Sequence, residues 1–249
     1  MTHPLAAQNL TIRRAARVIV ENINLEFKAG QVSAIIGANG AGKSTLLAAL
    51  AGLRELGHSD GLVLLEGTDI RGFSKGAVST KLGFLPAYSS VPFPLSVREL
   101  ILLAEPSETG FRGAVKDMEL ESLLEKPITQ LSTGEAKRAW LALTLARETP
   151  ILLLDEPLAG LDPRYQMRLL ETLQVRAKAG ACVVFIAHDI PYAARADRVI
   201  ALADCKIVAD GTPLQVLNSS LLRELYGVEV WIGLDPSSGA LVPLPVRAV

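Results

Sequence analysis

The chain has 249 residues, and 25 Lys and Arg against 26 Asp and Glu leave a net charge of −1. That balance argues against a chain built to neutralise nucleic-acid phosphates. Hydrophobic residues make up 49% and mean hydropathy is +0.32, but no stretch reads as a membrane span. The longest run without Asp, Glu, Lys or Arg, Leu82–Val97, is broken by Pro86, Pro92 and Pro94, and a spanning helix needs about 20 mostly apolar residues. The apolar surplus belongs in a large core, on a partner surface, or in both.

In chain order, MTHPLAAQNL has no basic segment leading into an apolar one, which argues against a secretory signal. Leu10 and Ile12, then Ile23, Leu25 and Phe27, alternate as antiparallel strands do. Val32–Ile36 reads as a buried strand and Ser44–Ala51 as a helix. From Tyr88 to Gln130 strand signals are weak. Val97–Ala104 and Lys116–Leu124 read as short helices, so a small helical subdomain is expected at about 88–150. Ile151–Leu154 is a second buried strand. Asp162 and Pro163 open a helix that should end near Gly180, and Ala181–Ala187 is a third buried strand. The tail has strand-like stretches at Val228–Ile232 and Leu241–Val246, with a turn at Asp235–Gly239 between them. Continuous apolar strands alternating with helices imply an α/β fold with a parallel sheet covered on both faces. Cys182 and Cys205 form no CxxC pair, which suits a reduced, cytosolic setting, and Cys182 reads as a small core residue. The three histidines share no metal-ligand spacing.

Three motifs carry chemistry. The segment Gly37-Ala-Asn39-Gly40-Ala41-Gly42-Lys43-Ser44, followed by Thr45, fits GxxxxGK[ST] between a strand and a helix, the setting of a P-loop. Its backbone N–H groups would cradle phosphates, Lys43 would reach the β- and γ-phosphates, and Ser44 would ligate Mg²⁺. The bland alternative is a Gly-rich turn before a helix. Ile151–Leu154 runs into Asp155 and Glu156, a Walker B pattern in which Asp155 would hold Mg²⁺ and Glu156 would polarise the attacking water. By itself this could be an acidic turn after a buried strand. Leu131-Ser132-Thr133-Gly134-Glu135 opens a helix with Leu141 and Leu145 on one face. It is either an ordinary capping box of Ser132 with Glu135 or an anion site at a helix N-terminus.

LSTGE resembles the LSGGQ signature of the ABC ATPases, in which Ser132 and Gly134 match the positions that face the γ-phosphate of ATP on another subunit. Ala159–Asp162 is similar to that family's D-loop, and His188, ending the strand Val183–Ala187, is similar to its switch histidine. The resemblance spans almost the whole chain. It implies an ABC ATPase fold of the P-loop type over residues 1–249, with an N-terminal antiparallel β-subdomain. It also implies ATP and Mg²⁺ as cofactors and hydrolysis at two composite sites in a head-to-tail dimer of two copies.

Two positions depart from the family pattern. Leu82-Gly-Phe-Leu-Pro86 is followed by Ala87, where the family's Q-loop carries a Gln that touches Mg²⁺ and the water. Tyr88, Ser89 and Ser90 are the polar side chains nearest to hand. The second departure is Arg14, which falls where the family stacks adenine on an aromatic residue. Arg can stack through its guanidinium, but Arg13 and Arg17 beside it fit an exposed basic edge equally well.

The chain lacks the long insertions of DNA-repair members of the family and the paired domains of its translation factors. A transporter subunit remains, working with transmembrane permease subunits and indirectly with a solute-binding protein, and with no nucleic acid. It would sit peripherally on the cytoplasmic face of the inner (cell) membrane. The tail segments Gly211–Leu217, Leu221–Val228 and Asp235–Gly239 are together similar to the ends of iron-siderophore, haem and cobalamin importer ATPases. The alternatives are an ATPase of another importer class, or a nucleotide-gated subunit with weak hydrolysis.

Overall fold

The computed structural model describes residues 3–15, 17–53, 58–91, 93–235 and 241–248. The first half runs β1 (Leu5–Arg14), β2 (Arg17–Phe27), β3 (Gln31–Ile36), α1 (Lys43–Leu50), β4 (His58–Leu65), β5 (Thr68–Asp69), α2 (Lys75–Lys81), β6 (Leu82–Leu85), α3 (Val97–Leu102) and α4 (Glu108–Asp117). The second runs α5 (Thr133–Ala146), β7 (Ile151–Leu154), α6 (Pro163–Lys178), β8 (Cys182–Ile186), α7 (Ile190–Ala193), β9 (Arg198–Ala203), β10 (Lys206–Gly211), α8 (Pro213–Val216), α9 (Ser219–Tyr226), β11 (Val228–Leu234) and β12 (Leu241–Ala248).

The central sheet has the order β10-β9-β3-β8-β7-β6. Its pairs from β9 to β6 are parallel, and only β10 joins antiparallel. The expected N-terminal antiparallel sheet is present, in the order β2-β1-β4-β5. The central strands read as unbroken apolar runs because both faces are covered. Successive side chains point to opposite faces: Val32, Ala34, Leu152, Leu154, Val183 and Phe185 join one core, while Ile35, Ile151, Leu153, Val184 and Ile186 join the other. The first core packs against α3, α5 and α6, and the second against α1 and the antiparallel sheet.

Local chemistry sets the helix ends. Asp162 caps α6 by accepting the Tyr165 N–H at 3.2 Å, with Pro163 in the first turn, as the sequence predicts. The helix expected over Lys116–Leu124 lies elsewhere. Ser107 accepts the Gly110 N–H at 2.9 Å and starts α4 at Glu108. The helix then stops at Asp117, and Glu119 turns to φ +48°. Beyond Lys116 and Asp117, which end α4, only a 3₁₀ turn, Glu121–Leu123, remains of the predicted segment. In the tail β11 and β12 pair antiparallel, while the turn predicted at Asp235–Gly239 falls mostly outside the described residues. No helix among the described residues is long and apolar enough to cross a membrane.

Cys182 begins β8 at 1% exposure, and burial pushes its thiol pKa up to about 12. Thiolate is the reacting form, so at pH 8 the folded chain should leave Cys182 unlabelled by iodoacetamide, whereas the chain in urea should label it. A thiol raised in the fold contributes stability below its unfolded pKa of about 8.5, and that stability is lost as pH climbs toward the folded value. Labelling of Cys182 in the folded chain as fast as in urea, read by peptide mass, would contradict this burial.

Candidate nucleotide site

Strands β3, β7 and β8 run parallel, so their C-terminal ends share one edge of the sheet. The three expected elements leave from that edge: Gly37–Thr45 after β3, Asp155 and Glu156 after β7, and His188 after β8. In open α/β sheets this edge is where ligands bind.

The loop after β3 needs glycine at two places. A Cβ on Gly37 would lie 2.2 Å from the Leu202 carbonyl oxygen, and one on Gly42, at φ +99°, would lie 2.6 Å from that of Ile19. The chain thus threads between β9 and β2 before α1 begins. No side chain caps α1, and its first turn carries no acidic residue. Its leading N–H groups are left to an anion, which the helix dipole also favours. Ala38, Asn39 and Gly40 form an exposed crest, with Ala41 and Thr45 half-buried behind it.

Lys43 is 7% exposed, and its ammonium donates to the carbonyls of Gly37 at 2.7 Å and Ala38 at 2.9 Å. Desolvation holds its pKa below the usual lysine value, opposed by the nearby charges of Glu156 and Asp155. Ser44 Oγ donates to Asp155 Oδ1 at 3.2 Å, tying the two motifs together. Burial raises the Asp155 pKa; the Ser44 hydrogen bond pulls it back down. Asp155 N–H donates to the Leu85 carbonyl at 2.8 Å, which extends the β6–β7 ladder into the site. Glu156 is half-buried and takes φ +47°, a left-handed backbone just past the end of β7.

His188 and the residues after it share a cavity of about 690 Å³ with Gly37, Ala38 and Asn39. Its side chain is 59% exposed, with Asp189 3.9 Å away. Ser132 and Gly134 sit at the start of α5. Ser132 N–H and Oγ–H both donate to Glu135 Oε2 at 2.8 Å, and Ser132 Oγ accepts the Glu135 N–H at 3.3 Å. The capping box is therefore real, and within one chain the Ser132 hydroxyl is engaged in its own turn. Gly134 packs on the D-loop: a Cβ there would lie 3.2 Å from the Gly160 carbonyl. Arg14 is exposed at the β1–β2 hairpin opposite Arg17, with no ion pair among the described residues. The neighbouring strand carries Ile19, against which Gly42 packs.

Motif reading passed over two residues. Lys137, half-buried on α5, feels the charges of Asp155 and Glu156, which oppose the lowering of its pKa by burial. Tyr226 Oη accepts the Gly37 N–H at 3.0 Å from 189 positions away. No local sequence pattern announces either contact.

The ABC transporter family profile matches residues 20–159. The chain is 36% identical to the hemin import ATP-binding protein HmuV of Streptomyces coelicolor, covering 98% of this chain and 90% of that protein. It is 34% identical to the ferric enterobactin transport ATP-binding protein FepC of Escherichia coli, covering 97% and 94%. Among solved structures, the chain resembles an inward-facing ABC transporter of metal-chelate type with a TM-score of 0.80 at 24% identity, covering 98% of both chains. It also resembles the dimeric ABC transporter cassette MJ0796 with a TM-score of 0.75 at 25% identity, covering 84% and 98%. The profile match and these relatives show that the chain, with its P-loop and Walker B pair at one sheet edge, belongs to the ABC transporter family and is an ABC ATPase.

Proposed function

We propose that the chain is the ATP-hydrolysing subunit of a membrane importer whose cargo is haem or an iron-siderophore chelate. The Ser44–Asp155 contact at 3.2 Å carries the catalytic half of this reading, because it sets two hard oxygen donors side by side beneath the P-loop. Oxygen donors of this kind suit Mg²⁺, which shares its shell with phosphate oxygens and, when bound, neutralises charge developing there. The cargo half rests on relatives named for hemin and ferric enterobactin import. The tail resemblance adds cobalamin to these cargo classes, and the alternative is an ATPase of another importer class.

In this reading Gly37–Thr45 wraps the phosphates, and Lys43 exchanges its two carbonyl partners for β- and γ-phosphate oxygens. Glu156 accepts a proton from water as the water oxygen attacks the γ-phosphorus. The bond to the β–γ bridging oxygen breaks, leaving ADP and phosphate. His188 orients that water from the far wall of the shared cavity. Arg14 lies against the adenine, and Ser132, Gly134 and Asp162 serve the site of a second copy in a head-to-tail dimer. Residues 88–150 form the helical unit of a single 1–249 domain. Tyr88, 82% exposed, and Phe93, 63% exposed, belong to the face that meets the permease. That docking places the subunit on the cytoplasmic face of the membrane, with a solute-binding protein delivering cargo on the other side.

Removing the base tests the assignment. Glu156→Gln should lower kcat by about 10²–10⁴ in a phosphate-release assay while ATP still binds; undiminished turnover contradicts the role. The methyl group of Ala87 favours a weakly hydrolysing subunit as a second reading, since it can neither ligate a metal ion nor hold water. In that case Ala87→Gln should raise kcat about tenfold or more, the size of one hydrogen-bonded contact to a charged group. An unchanged rate would leave the first reading standing.

A further inference from the structure

We propose that Tyr226, at the end of α9, is a positioning residue for the nucleotide site, and that the C-terminal tail thereby sets the affinity for ATP and ADP. The inference rests on the nucleotide site proposed at Gly37–Thr45. Gly37 is the first residue beyond β3, so its N–H lies past the last sheet partner of that strand. A buried N–H without an acceptor is costly, and the tyrosine oxygen supplies one at 3.0 Å. The other end of Gly37 is held as well, since its carbonyl accepts from Lys43 Nζ at 2.7 Å. Its Cα faces the Leu202 carbonyl so closely that no side chain fits.

These restraints differ in kind. The Lys43 bond is the one that phosphate must displace, because the ammonium cannot keep both carbonyls and also serve the β- and γ-phosphates. The Tyr226 bond does not compete with phosphate. When Lys43 leaves, Tyr226 is what still fixes the orientation of the Gly37 peptide and of the N–H groups that follow it. The phenol suits a constant anchor: burial raises its pKa, so it stays neutral and keeps its acceptor lone pairs across the physiological range.

The tail holds Tyr226 firmly. Leu222 and Leu225 are buried on the same helix, Asn218 caps it by accepting the Leu221 N–H at 2.9 Å, and Ser219 Oγ donates to the Val230 carbonyl on β11 at 2.9 Å. Tyr226, Val228 and Pro245 form the tail wall of the same cavity that the P-loop crest and His188 line. The tail thus touches the loop after β3 at Gly37 and shares a cavity with His188.

Tyr226→Phe tests this in the purified full chain, because it keeps the ring and removes only the acceptor. Binding of ATP, ADP and a non-hydrolysable ATP analogue is measured by calorimetry beside steady-state hydrolysis. The expected result is a three- to tenfold rise in Kd and in KM with kcat within twofold of wild type. Amide exchange should quicken in the peptide containing Gly37 and stay unchanged in β8. Leu100, fully buried on α3 and outside both the tail and the nucleotide site, gives the packing control: Leu100→Ala should lower Tm and leave Kd unchanged at 20 °C, well below unfolding. Equal affinities for wild type and Tyr226→Phe, or a Kd rise of the same size in Leu100→Ala, would overturn the role of Tyr226 alone. Failure of the wild-type chain to bind ATP would overturn the nucleotide-site reading and this role with it.

Discussion

An ammonium group taken out of water must find acceptors, and Lys43 finds them in the first two carbonyls of its own loop. That closure bends the chain after β3 into a cradle and leaves the uncapped start of α1 facing its mouth. It also brings the ammonium under the field of Asp155 and Glu156, two carboxylates that β7 carries to the same sheet edge. With Lys137 on α5, four charges thus interact here before any substrate arrives. The loop geometry, the tie between Ser44 and Asp155 and the anchoring of Gly37 all follow from accommodating them. A triphosphate with its counterion would exchange these internal partners for stronger ones, so the site is built to be completed by ligand.

The unusual apolar content has its explanation in the sheet that supports this edge. Both faces of β3, β7 and β8 are buried, one under helices and one under the antiparallel sheet, so nearly every residue of those strands is apolar. A smaller part of the surplus stays on the surface. Within Leu82–Val97, Leu82 and Leu85 enter the core through β6, while Tyr88 and Phe93 are exposed. The segment that lacks the expected Gln at position 87 therefore also carries two large exposed aromatic side chains, which joins the catalytic departure to the proposed permease face.

Most of the architecture was legible in the amino-acid order because it rests on local rules. Buried strands announced themselves as apolar runs, Asp162 with Pro163 marked a helix start, and the P-loop combined spacing with its strand–helix setting. No helix spans Lys116–Leu124 because Ser107 caps a helix that begins at Glu108, and Glu119 adopts a backbone past its end that does not continue it. At Ser132 the sequence offered a capping box and a signature turn as alternatives, yet the turn forms the box while keeping the signature spacing. Tyr226 and Lys137 were invisible for a different reason. Their partners are distant in sequence and meet them only once the sheet edge is assembled, so neither leaves a pattern in its own neighbourhood.

The central claim is that this sheet edge binds ATP and is completed by the signature turn of a second copy. Sedimentation velocity of the Glu156→Gln chain tests it most directly, since that variant should hold ATP without consuming it. With Mg-ATP the 26.5 kDa chain should sediment as a dimer, without nucleotide as a monomer, and adding Gly134→Asp should abolish the dimer while ATP binding persists. A chain that binds Mg-ATP yet remains monomeric, or a dimer indifferent to Gly134→Asp, would contradict the account.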